Sequence, residues 1–255
     1  MRRRVPCPVC LQHSGVEAIA NASTYDFGSS NVLEAICSKG HAFLVLNQNP
    51  KFEVLFEYAC SAFLDGYVRE AVSSAATALE RAMEFFIRAT LNSTQDPKAA
   101  ESVWAGMSKN SQRQLGAFIA LHQVFVGTQA PRLDTVVRGQ WRDLSAEAFR
   151  NSVVHVGEIP SEEDARKYLD FVYTYIAHIL RALRTNGVGQ AFLSKQVTDM
   201  SKRIPEGKPA INIAMGGELK NLIYEGEPAS LEVYLDMIAA TLQGRNPRME
   251  TVNPE

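Results

Sequence analysis

The chain of 255 residues predicts a mainly α fold: a helical bundle with a small zinc-binding β module before it and a small α+β appendage after it. Three observations carry that reading. From Phe52 to Arg184 apolar residues recur at steps of three and four, the period of amphipathic helices. Residues 1–50 instead hold three of the four cysteines, turn signals such as GSSN at 28–31, and the β-type run AFLVL at 42–46. After Asn186-Gly187 the pattern turns mixed. The expected domains are therefore 1–50, 51–187 and 188–255.

Each element follows from local chemistry. Asn49-Pro50 ends the β module, because the residue before proline is pushed away from helix. Phe52, Leu55, Phe56, Ala59 and Phe63 form the stripe of a first helix, broken at Gly66. A second helix runs from Tyr67 to Leu91, and the two predict a helical hairpin. A third helical tract covers 100–126 and stops near Gly127; a fourth spans Ser145 to Val156. Ser161-Glu162-Glu163-Asp164 is a capping box that starts the last long helix, to about Arg184. In the tail, Ile211 to Met215 alternates like a strand and Leu231 to Leu242 has a helical period.

Composition bounds the function. Apolar residues at 46% and charged residues at 21% describe an ordinary globular chain that can bury a core. A formal net charge of -2 gives no global attraction to nucleic acid, so any such contact needs a local patch. No run of about 18 apolar residues is present, so no membrane span is expected, and the basic start MRRRVPCPVC lacks the apolar segment of a secretory signal. A cytoplasmic location follows as the expectation, and in a reducing compartment cysteines serve as thiols or metal ligands.

Cys7 and Cys10 form a C-x2-C pair, and Cys37 with His41 a C-x3-H pair. Zinc takes four such ligands in a tetrahedron, and two short pairs joined by a hairpin supply them. Four protein ligands close the shell, so a structural Zn2+ is expected, with none for catalysis. No H-E-x-x-H set points to a zinc hydrolase. His13 is a competing fourth ligand without a partner cysteine at matching spacing, and Cys60 falls on an apolar helical face.

The fourth helix carries Arg150-Asn151-Ser152-Val153-Val154-His155. Histidine titrates near neutrality and suits a general base. Arginine is a permanently charged planar donor suited to phosphoryl oxygens. Asn151 lies one turn before His155, whereas Arg150 is turned from it by about 140 degrees at 3.6 residues per turn. An arginine in solvent and a histidine packed near a helix end is the plainer alternative. Glu80 on the second helix reads either as an acid that contacts the Arg150 helix from behind the site or as a solvated neighbour of Arg81 and Glu84. His122 and His178 lie on apolar stripes, and Trp104, Trp141, Tyr168, Tyr173 and Tyr175 read as core aromatics, any exposed one being able to stack on a base.

The R-N-x3-H stretch on the penultimate long helix, the alanine-rich second helix with Glu80, and G-x-x-P-S-x-x-D before the last helix resemble the HEPN superfamily over residues 51–185. The resemblance implies a HEPN-like bundle and a metal-independent endoribonuclease. In that reading Arg150, His155 and Asn151 act on RNA at a homodimer interface. It also suggests a toxin or antiviral-defence role with an antitoxin or other regulatory protein as partner. The alternative within the same fold is a non-catalytic RNA- or protein-binding scaffold. For phosphate binding, Arg132, Arg138 and Arg142 are expected to gather with Arg150 around one cleft.

Overall fold

The computed structural model describes residues 2–14, 19–23, 31–107, 110–134, 136–138, 144–185, 187–213 and 219–243. The described residues are mainly α, with a few short strands. Its contacts divide it into two compact units, one of residues 1–48, 200–216 and 232–255, the other of residues 49–199 and 217–231. The tail of 188–255 is thus shared between them.

The helical unit is built on the hairpin of α2 (Lys51–Leu64) and α3 (Val68–Thr94). Gly66 makes the turn: its φ of 81° is left-handed, and Tyr67 N–H closes back on the Ala62 carbonyl at 2.8 Å. The third helical tract is two helices, α4 (Pro97–Met107) and α5 (Ser111–Val126). Capping chemistry explains both starts. Asp96 Oδ1 accepts the Lys98 and Ala99 N–H groups ahead of α4, with Pro97 at the first helical position. Asn110 Oδ1 accepts Arg113 N–H at 3.0 Å ahead of α5, a start signal inside the stretch expected to be continuous.

After the short strands β5 (Val136–Arg138) and β6 (Leu144–Ser145) comes α6 (Ala146–Asn151), capped by Ser145 Oγ on Ala148 N–H at 3.2 Å. It passes directly into a π turn over Ser152–Val156. Helix α7 (Glu162–Thr185) begins at the expected box: Ser161 Oγ accepts Asp164 N–H at 3.1 Å and donates to the Asp164 carboxylate at 2.8 Å. Helix α8 (Val188–Ser201) and a 3-10 turn at Leu219–Ile223 complete the order of elements in this unit.

Helix α3 is the spine, packed by α2, α5 and α7. Aromatic pairs fill the space between them: Phe52 with Phe85, Phe86 with Phe118, and Phe56 stacked on Tyr173. No helix among the described residues is long and apolar enough to cross a membrane.

The other unit holds a hairpin of β1 (Arg2–Pro6) and β2 (Ile19–Ser23), with helix α1 (Pro8–Ser14) between them, an element the sequence reading did not anticipate. Strands β3 (Val32–Ile36) and β4 (Ala42–Asn47) pair antiparallel, and β7 (Ala210–Ile213) adds to β4 in parallel. Its core gathers Val5, Cys7, Cys10, Ala35, Cys37, Phe43 and Val45. Helix α9 (Leu231–Gln243) ends the described chain.

Candidate functional site

The metal candidate forms where β1 gives way to α1 and β3 turns into β4. Cys7 and Cys10 straddle the first turn of α1, and Cys37 and His41 close the turn, with Gly40 N–H on the Cys37 carbonyl at 2.9 Å. The four ligand atoms lie within 4.8 Å of one another. His41 Nδ1 stands 3.1 Å from Cys10 Sγ, 3.6 Å from Cys37 Sγ and 3.9 Å from Cys7 Sγ. A zinc tetrahedron with arms of about 2.3 Å to sulfur and 2.0–2.1 Å to nitrogen has edges of about 3.6–3.8 Å. The cluster is therefore compatible with a zinc site.

Its electrostatics point the same way. Burial pushes the Cys10 thiol up to about 11, with Cys7 and Cys37 adding to the effect. Cys37 feels the same desolvation, yet the backbone groups of His41 and Lys39 hold it at about 6. One member is thus a thiolate at neutral pH, the form that ligates zinc. Cys60 is remote in character: fully buried, its thiol is pushed far up by burial and by Glu57. His13, the competing ligand, is exposed and outside the cluster.

The second candidate centres on Arg150 at the end of α6. Its Nη2 donates to Glu80 Oε1 at 2.8 Å, an ion pair reaching across to α3. Its Nη1 donates to Asn151 Oδ1 at 3.0 Å and meets His155 Nε2 at 3.1 Å. One guanidinium thus holds all three of the other residues singled out in the bundle.

The π turn explains how residues five apart meet. In a π turn the backbone bond runs from residue i to i+5, here from Gly157 N–H to the Ser152 carbonyl. The turn is wider than an α turn, so His155 comes round beneath Arg150 rather than 140 degrees away. Gly157 ends it with a left-handed φ of 83°, which a side chain would strain. On the inner side Phe149 and Val153 are fully buried, which anchors the turn against the bundle core.

Arginine carries only donors, so the atom facing it must accept. In its contact with Arg150, His155 Nε2 is therefore the accepting atom. The ring is exposed, and so are Val156 and Ile159 after it, at 81% and 77%. Tyr168 of α7 is buried against the site; its hydroxyl is pushed well up by burial, with Arg150 opposing and Glu80 reinforcing the shift.

Glu80 is also close to Arg81, at 3.9 Å, but the 2.8 Å contact to Arg150 is the shorter of the two. Arg132, 76% exposed, pairs with Asp134 at 2.5 Å. Arg142 and the side chain of Arg138 lie outside the described residues, as does Trp141. Of the aromatics, Trp104 is buried with Arg88 over its ring, Tyr175 donates to the Pro131 carbonyl at 2.8 Å, and Tyr173 stacks on Phe56.

Two features escaped the sequence reading. His122 is fully buried and its Nε2 meets His178 Nε2 at 2.9 Å, with His122 Nδ1 on the Thr128 carbonyl. Burial, then His122 and Arg181, hold His178 below the usual histidine range. Glu53 and Glu57 are buried together on α2, and Glu53 Oε1 accepts Lys220 N–H at 3.2 Å. Burial pushes Glu53 up to about 8, against the opposing charge of Lys220 and helped by Glu57. Acids at positions i and i+4 beside Phe52 and Phe56 were the available signal. No protein-family model matches the chain, and no curated protein or solved structure matches it either.

Proposed function

We propose that the protein is a HEPN-type, metal-independent endoribonuclease that works as a homodimer, with a structural Zn2+ held by Cys7, Cys10, Cys37 and His41. The observation that carries the reading is the single guanidinium of Arg150 in contact with Glu80, Asn151 and His155 at once. A neutral imidazole that presents its Nε2 lone pair is the form a general base needs. Once RNA engages Arg150 through a phosphate, that lone pair is released to the 2'-hydroxyl.

His155 Nε2 then takes the 2'-hydroxyl proton as the 2'-oxygen bonds to phosphorus. Arg150 stabilises charge on the non-bridging oxygens. The bond from phosphorus to the 5'-oxygen breaks, and that oxygen takes a proton from His155 of the second copy, which enters the cycle as the imidazolium while the first enters neutral. The products are a 2',3'-cyclic phosphate and a 5'-hydroxyl. Exposed Val156 and Ile159 beside His155 supply apolar surface for the second copy to cover. Asn151 orients the arginine, and Glu80 fixes it from α3.

The test compares wild type with Arg150→Ala and His155→Ala on mixed RNA in the presence of EDTA. The proposal expects cyclic-phosphate products from wild type and loss of at least about a hundredfold in each variant. Cleavage unchanged in both variants refutes it. A second reading, a scaffold that binds RNA or protein without cleaving it, draws on the same network: three of the five N–H groups of Arg150 are already engaged by partners of its own chain. Folded wild type that binds RNA and leaves it intact selects that reading.

A further inference from the structure

Beside Arg150 the helical unit contains a cavity of about 130 Å3. Arg150, Asn151 and Glu80 form one end of it, and Leu79, Met83, Leu115, Leu133 and Phe171 give it apolar walls. Gln112 of α5 adds an amide to the lining, a group that both donates and accepts. The size is selective. An apolar cavity of about 150 Å3 takes up benzene, while sites for drug-sized ligands run to about 300–1,000 Å3. This one suits a single flat ring with polar edges.

A phosphate on Arg150 would leave its attached nucleoside a few ångströms away, at the cavity mouth. We infer that the cavity is a base-binding subsite for a single-ring nucleobase, so that the protein selects a pyrimidine next to the phosphate held by Arg150. The inference rests on the reading of Arg150 as a phosphate-binding group. Apolar walls take the ring faces, as in other single-strand binders, while Asn151 and Gln112 meet the ring edge. A second cavity of about 260 Å3 shares Leu115, Leu133 and Glu147 with the first and reaches Arg132. The two adjoin at those shared residues, and the strand is proposed to run on along the second beyond the selected base.

The test measures binding rather than cleavage. Short 2'-deoxy oligonucleotides, which cannot be cut through a 2'-oxygen, carry a central cytosine, uracil, adenine or abasic position and are titrated by fluorescence anisotropy. The expected result is about tenfold tighter binding of the pyrimidine strands than of the abasic strand, with adenine close to abasic. Leu115→Trp, which fills the cavity, removes the discrimination. Leu115→Ala, which enlarges it, brings adenine up to pyrimidine affinity, and carries the test alone if the tryptophan variant does not fold.

Equal binding of pyrimidine and abasic strands by wild type overturns the subsite, as does a pyrimidine preference that Leu115→Trp leaves intact. Discrimination in a protein that never cleaves RNA supports the subsite and removes the nuclease reading. Cleavage without discrimination does the reverse.

Discussion

Glu80→Ala is the substitution that best separates a positioning role from a structural one. At 2.8 Å the Glu80 to Arg150 pair has a gross attraction of about 6 kcal/mol for an effective dielectric of about 20. The side chains are 34% and 28% exposed, however, so desolvation and solvent screening leave about 1 kcal/mol net. For a unit of this size that is a fall of about 2–4 °C in melting temperature. Under the proposed nuclease function, the effect on cleavage is expected to be far larger. Without Glu80, Arg150 keeps its hydrogen bonds to Asn151 and His155, both close to it in sequence, and the guanidinium loses its anchor on α3. A misplacement of about 1 Å in a group that stabilises the transition state costs on the order of a hundredfold. The expected outcome is a kcat lowered about 10- to 100-fold with KM nearly unchanged, and partial rescue by Glu80→Gln, whose amide oxygen still accepts from Arg150. Wild-type kcat in Glu80→Ala refutes the positioning role. A melting temperature lowered far beyond a few degrees would instead assign Glu80 to the fold.

Two further outcomes follow from the buried groups. Purified protein should carry one zinc per chain, and Cys37→Ser should lose it and lower the first melting transition, while cleavage assays in EDTA continue as long as the helical unit stays folded; metal analysis with calorimetry checks both. Glu53 titrates near 4.5 when unfolded and at about 8 when folded, so the native state binds the extra proton between those values and stability falls as pH rises from 4.5 through 8. Glu53→Gln removes that slope, and chemical denaturation at pH 5 and pH 9 should show the variant gaining on wild type at the higher pH.

Local chemistry made much of the fold legible. The α2–α3 turn at Gly66, the Ser161 box and the two Cys/His pairs are each set by residues within a few positions of one another. What was not legible depends on distant partners or on two signals in competition. The pairing of β7 with β4 is a parallel match between strands far apart in the chain, with no turn to announce it. Asn110 interrupts a stretch whose apolar period runs on across it. Glu53 and Glu57 look like solvated acids until the elements around α2 bury them, and only then does burial raise the Glu53 pKa.

The Arg150 site shows the same division at closer range. Residue types and order nominated Arg150, Asn151 and His155, and a position on the second helix nominated Glu80. The regular α pitch nevertheless argued against any contact between Arg150 and His155. The conflict disappears because the backbone leaves that pitch: a π turn stacks residue i over i+5, so the five-residue spacing that separates the pair on an α-helix joins it here. Such a turn gives up regular α bonding and persists only where its surroundings fix it. Here Phe149 and Val153 hold its inner face and Gly157 terminates it in a conformation few other residues adopt. The departure from regular helix therefore lies between the two side chains that it brings into contact. For the proposed nuclease, that places the arginine and the histidine in one site rather than on two faces of a helix.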